Sequence, residues 1–182
     1  MFNPSDPRNF SFFEPERDLL ESEFCHSLAL ITMNWGRVEC QLLGVILLAD
    51  PKQAAPLTDA FFAEKSLEDR KVIARKAMIA AMQRSYPASV KSFREALKKI
   101  GTIQPRRNLL AHGVWSEEHL KNAYSIQPMK AHSKTRKLAA ATKIDLQFLT
   151  NVVLDMQWVM IRLASIGADM MAHQQLKKWG KR

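Results

Sequence analysis

Two apolar stripes of equal length, one near each end of the chain, constrain this sequence more than any other feature. Phe24, Leu28, Ile31, Trp35, Val38, Leu42 and Val45 recur in alternating steps of four and three. Leu149, Val152, Met156, Val159, Leu163, Ile166 and Met170 do the same in the other half. Such steps keep one face of an α-helix apolar, whereas a half-buried strand needs alternation at every second residue. Each stripe therefore predicts a long helix with one buried face. The first begins after Pro15 and ends at Asp50-Pro51, because a residue before proline avoids helical geometry. The second carries Lys177 and Lys178 in its last turn, where cations suit the helix dipole.

Shorter elements lie between them. Leu57–Ala63 reads as a helical turn or two. Ser66-Leu67-Glu68-Asp69 reads as a helix start, with Ser66 as N-cap and carboxylates in the first turn, and the helix runs to about Arg84. Another helix starts near Pro87 and passes through Phe93, Leu97 and Ile100. Pro105 lacks an N–H and its ring opposes the carbonyl of residue 101, so Gly101–Pro105 predicts a kink or a restart with Thr102 as cap. Helix continues to His112, and Gly113 follows as a natural C-terminal stop. Tyr124–Gln127 is too short for more than a strand stub. The fold class expected is all-α: an up-and-down bundle of four main helices, two long and two shorter, one of them kinked, with extra short helical turns. It forms one domain over residues 1–182, with residues 1–14 as an extended N-terminal arm.

Several function classes are excluded on simple grounds. The longest apolar run, Leu42–Ala49, falls well short of the ~20 residues that span a bilayer, so no membrane partner is expected. The N-terminus lacks a basic start followed by an apolar stretch, and a cytoplasmic location is expected. Cys25 and Cys40 stand on one helix, ~22 Å apart at the helical rise, so they cannot pair; buried or inert thiols in a reducing compartment are expected. His26, His112, His119, His132 and His173 form no H-x-x-x-H pair, and the cysteines lack zinc spacing, so no metal is assigned. Gly-rich phosphate loops and Gly-x-Ser-x-Gly elbows are missing, and no cofactor is expected. Trp35 and Trp115 read as core packing, and Trp179 as an anchor for the C-terminus.

The segment that carries chemistry is Arg106-Arg107-Asn108-Leu109-Leu110-Ala111-His112-Gly113-Val114-Trp115. Ile100, Ile103, Arg107, Leu110 and Val114 share one helical register, which puts a cation at an apolar position. A guanidinium there needs a carboxylate, carbonyls or an anion, or must point into a cleft or a subunit interface, because unpaired burial is costly. Asn108 and His112 are four apart and share a face, so the amide can orient the imidazole. Arg107 and His112 are five apart, roughly 140° around the helix. One copy splays these two groups; two copies meeting at a twofold axis can bring them around one cleft.

Arg107-Asn108-x-x-x-His112 resembles the signature of HEPN domains. The long first helix with Trp35-Gly36-Arg37-Val38-Glu39, this motif and the long last helix also follow the family's order, over most of residues 15–178. The resemblance implies a small helical bundle, a homodimer, and a metal-independent ribonuclease that leaves a 2′,3′-cyclic phosphate. It implies Arg107 stabilising charge on the scissile phosphate, His112 as general base or acid, and Asn108 orienting them. Glu39 would pair with Arg107 or His112. Such a ribonuclease would be the toxin of a toxin–antitoxin pair, with an antitoxin protein as partner, or a phage-defence component. The alternative is a non-catalytic module that binds RNA, a nucleotide or a protein partner.

Residues 116–142 form a basic connector, longer than the ~12–15 residues usual for a structureless loop. From His119 to Ile144 there is no acid, while Lys121, Lys130, Lys134, Arg136, Lys137 and Lys143 fall there, against a net charge of +9 for the whole chain. A phosphate backbone is attracted to such a segment, with salt-dependent affinity. Arg106, Lys130, Lys134, Arg136 and Lys137 are the expected RNA contacts. The other reading is a solvated loop that serves solubility. Leu138–Thr142 can begin the last helix early.

Overall fold

The first apolar stripe lies on helix α1, Pro15–Ala49, and the second on the last helix, Leu146–Trp179. A computed structural model describes residues 15–64, 67–118, 123–127 and 140–179. Between the two long helices come a single 3-10 turn at Pro51–Gln53, α2 at Ala54–Ala63, α3 at Leu67–Ser85 and α4 at Pro87–His112. The last helix is α5. The architecture is an all-α bundle, as the periodicity predicts. Residues 1–14 and Ser66, expected as an arm and an N-cap, lie outside the described residues.

Pairs of contacts fix the helix directions. Tyr86 meets His173, Glu95 meets Arg162, and Arg106 meets Asp155, so α4 runs antiparallel to α5. Gln174 donates to the Leu48 carbonyl at 2.9 Å, and Gly167 sits against Leu48 and Val45, so α1 and α5 run parallel and the strict up-and-down order expected of the four main helices is not kept. Both stripes are buried along their length, and they face each other: Val38, Leu42, Leu149, Val152, Met156, Val159 and Leu163 are fully enclosed. Phe93, Ala96, Ile100 and Ile103 of α4 complete this core, and Trp35 joins it at 6% exposure. Trp179 does not dock; it is 73% exposed. Cys25 and Cys40 are exposed free thiols, so the buried alternative of the expected buried or inert thiols does not hold, because both lie off the buried stripe of α1.

Pro105 lies inside one unbroken helix, so the expected restart at Gly101–Pro105 does not occur. Thr102 caps nothing; its hydroxyl donates back to the Lys99 carbonyl at 2.8 Å. Proline removes one backbone hydrogen bond, but Ile100, Ile103 and Leu110 on either side of it are all buried, and that packing holds the segment helical.

The sequence reading of the connector needs correction. Val114–Glu118 (β1), Ala123–Gln127 (β2) and Thr142–Ile144 (β3) form a three-stranded antiparallel sheet in the order β1-β2-β3. Val114 pairs with Gln127 and Tyr124 with Ile144. Tyr124 and Ile126 point inward at period two: Ile126 is fully buried, and Tyr124 packs edge-on against Phe24 of α1 at 4.8 Å. The last helix does not begin early either, because residues 142–144 are strand. Asp145 is its N-cap, accepting from the Phe148 backbone N–H at 2.8 Å.

Candidate functional site

The motif occupies the last two turns of α4, where that helix hands over to the sheet. The Gly113 N–H bonds to the Leu109 carbonyl at 2.8 Å and closes the final turn. Gly113 is extended, with φ −80° and ψ 159°, rather than left-handed, so the chain passes straight into β1. Placed at this junction, the His112 side chain is exposed on the end of the bundle.

Arg107 solves its register problem with an aromatic ring. Its guanidinium carbon lies 5.6 Å from the centroid of the Trp35 ring, and Nη1 donates to Asn108 Oδ1 at 3.3 Å. The residue is half-buried, so the cation keeps a solvent-facing side. Asn108 therefore holds Arg107 rather than orienting the imidazole. The structure brings Arg107 and Asn108 together and leaves His112 apart from them, one further turn along an exposed face.

The remaining expected site residues separate into distinct groups. Arg106 reaches Asp155 of α5 at 3.4 Å, and Lys99 reaches the same carboxylate at 2.6 Å, so Arg106 ties two helices together. Glu39 pairs with neither Arg107 nor His112. It receives Arg70 of α3 at 3.3 Å, and Arg70 also donates to the Glu64 carbonyl at 3.0 Å beneath Phe61 and Phe62. Lys130, Lys134, Arg136 and Lys137 lie outside the described residues, as does the Trp115 side chain. Lys143 is exposed on β3. Among the described residues no group of three or more His, Cys, Asp and Glu side chains can hold a metal ion, and no helix is long and apolar enough to cross a membrane.

Two features were missed. Trp35 is read from the stripe as core filler, yet one ring face serves as the platform for Arg107. Its signal would have been a cation and an aromatic in apolar registers on two different helices. The second is a cationic groove between α3 and α4, whose lining includes Lys71, Arg75, Arg94 and Lys98. The pairs 71/75 and 94/98 at spacing four are its only trace, and either pair alone reads as a solvated face. In comparisons with known proteins, the chain matches no family model, no curated protein and no solved structure.

Proposed function

We propose that this chain is a metal-independent endoribonuclease of HEPN type that works as a homodimer. The observation that carries the reading is the exposed imidazole of His112 at the open end of α4, with a solvent-facing guanidinium one turn earlier. In this mechanism His112 takes the proton of an RNA 2′-hydroxyl. The 2′-oxygen attacks phosphorus, the bond to the 5′-oxygen breaks, and that oxygen receives the proton back from the His112 imidazolium so formed. The products are a 2′,3′-cyclic phosphate and a 5′-hydroxyl. Arg107 stabilises the charge that builds on the phosphoryl oxygens, where its fork geometry matches the ligand. Asn108 holds that fork in place. The cellular role in this reading is a toxin restrained by an antitoxin protein, or a component of phage defence.

The test is incubation of purified protein with single-stranded RNA in EDTA, with products resolved by size and by end chemistry. Wild type cuts and leaves cyclic phosphate ends; His112→Ala, folded by circular dichroism, loses at least a hundredfold in rate. Equal cleavage by both proteins identifies a contaminant and overturns the reading.

A second reading is favoured by the contact of Arg107 with Trp35, which gives the arginine a structural task. In that reading the chain is a non-catalytic module that binds RNA, a nucleotide or a protein partner. It requires binding without products, and Arg107→Ala then weakens binding or dimerisation while His112→Ala changes neither.

A further inference from the structure

Helices α3 and α4 form an antiparallel hairpin, and a groove of about 340 Å³ runs between them. Its walls are Lys71, Val72 and Arg75 from α3, and Arg94, Leu97 and Lys98 from α4. Four cations and two aliphatic side chains thus share one concave surface, and among the described residues that line it there is no carboxylate. Arg75, Arg94 and Lys98 are exposed, and among the described residues none of the three is ion-paired. Three acids of the surrounding helices are engaged elsewhere: Glu39 holds Arg70, Glu95 faces Arg162 at 3.8 Å, and Asp155 takes Lys99 and Arg106. A Cβ at Gly101 would lie 3.4 Å from Lys71 Nζ, which puts the amine close against α4.

Like charges gathered on one concave surface repel, and an anion that bridges them removes the repulsion. The aliphatic floor adds a second requirement, since Val72 is 45% exposed beside Leu97. A ligand with spaced phosphates and a flat or sugar-like body between them meets both. Direction supplies the third argument. Lys98 and His112 are 14 residues apart, which puts them within about 40° of each other around α4 and about 21 Å apart along it. The groove and the imidazole therefore share one open side of one helix, while Arg107 lies opposite Lys98.

We propose that the α3–α4 groove is a backbone-binding subsite for single-stranded RNA, holding the strand several nucleotides away from a phosphodiester at His112. The identity of the ligand rests on the ribonuclease reading above; the groove itself does not. A strand lying along α4 engages the groove with its phosphates and rests sugars or bases on Val72 and Leu97. A compact polyphosphate would use the cations and leave the aliphatic floor bare.

The experiment measures binding of a labelled single-stranded RNA of about 12 nucleotides, within the span of known single-strand sites. It uses the full chain carrying His112→Ala, so that the ligand survives. Against this background, Arg75→Glu, Arg94→Glu and Lys98→Glu are combined, with Lys177→Glu and Lys178→Glu as a separate control on the far end of α5. The groove variant loses at least tenfold in affinity. Its slope of log affinity against log salt falls by about 2, as expected for three lost phosphate contacts on a single strand. The control changes little. Unchanged affinity and slope in the groove variant, or an equal loss in the control, overturns the proposal. Tripolyphosphate bound as tightly as RNA and lost with the same substitutions also overturns it, in favour of a small anion. The two readings fail separately. Groove-dependent binding by a wild-type protein that never cuts removes the nuclease and leaves the subsite; cutting with an unaltered KM by a protein that carries the three groove substitutions and an intact His112 does the reverse.

Discussion

A guanidinium at an apolar helical register can be satisfied by a carboxylate, by carbonyls or by an aromatic face, and the sequence around Arg107 does not choose among them. The choice is made by Trp35, more than seventy residues away, whose ring lies 5.6 Å from the cation. Glu39 has the same history: its partner Arg70 comes from another helix, so no local spacing could name it. The two arginines differ in what their loss should do. Arg70 joins a carboxylate, a carbonyl and two rings at 18% side-chain exposure. Arg70→Ala is expected to lower unfolding stability by about 2 kcal/mol in urea titration, because it strands charge-assisted partners. Arg106 is half-exposed, and Arg106→Ala should cost well under ~1 kcal/mol by the same measurement, as surface ion pairs do. Gly101 gives a sign test. Gly101→Ala adds helix propensity worth up to ~1 kcal/mol, and only the flexible tip of Lys71 must yield to the new methyl, so the variant should melt higher.

At the scale of elements, the long helices are legible because their stripes persist for six turns, and α4 shows where that legibility stops. Pro105 is a strong local stop signal, yet the helix passes through it, since packing of Ile103 and Leu110 outweighs one missing hydrogen bond. Pro105→Ala restores an N–H opposite the Gly101 carbonyl and should raise stability by about 1–3 kcal/mol in chemical denaturation. Removing the ring that opposes the Gly101 carbonyl is also expected to alter the path of the last two turns, which carry Arg107 and His112. In the ribonuclease reading it should therefore lower the cleavage rate while raising the melting temperature, a combination that simple unfolding cannot produce. The sheet was illegible for a different reason. Its strands are three to five residues long, β1 ends in two glutamates, and only Tyr124 and Ile126 of β2 mark an inward face. Two inward residues cannot distinguish a strand from a coil; the burial of Ile126 and Ile144 against the bundle supplies what the pattern lacks. The basic charge of the connector could be read, but its local structure could not.

For the whole molecule, the decisive quantity in the ribonuclease reading is whether Arg107 and His112 come to one site from two copies of the chain. Within one chain Arg107 rests on Trp35, while His112 lies about 140° further around α4 on an exposed face. A single copy thus offers a cation and a base in different directions, and a composite site needs a twofold arrangement in which each copy contributes one of them. An exposed row on α1, Ala29, Met33, Gly36 and Cys40, leaves room for close approach, with nothing within 4 Å of a Cβ built at Gly36. Mixing two inactive variants, Arg107→Ala and His112→Ala, separates the arrangements. After exchange, about half of the dimers are mixed, and each mixed dimer holds one site with both residues intact if the site is composite, so about a quarter of wild-type activity returns. If each site draws both residues from one chain, a mixed dimer holds no intact site and the mixture stays inactive. Recovery should also depend on protein concentration, tracking the dimer fraction seen by sedimentation. An inactive mixture of proteins that demonstrably exchange subunits would remove the composite site, and with it the reason to expect Arg107 and His112 to act on one phosphate.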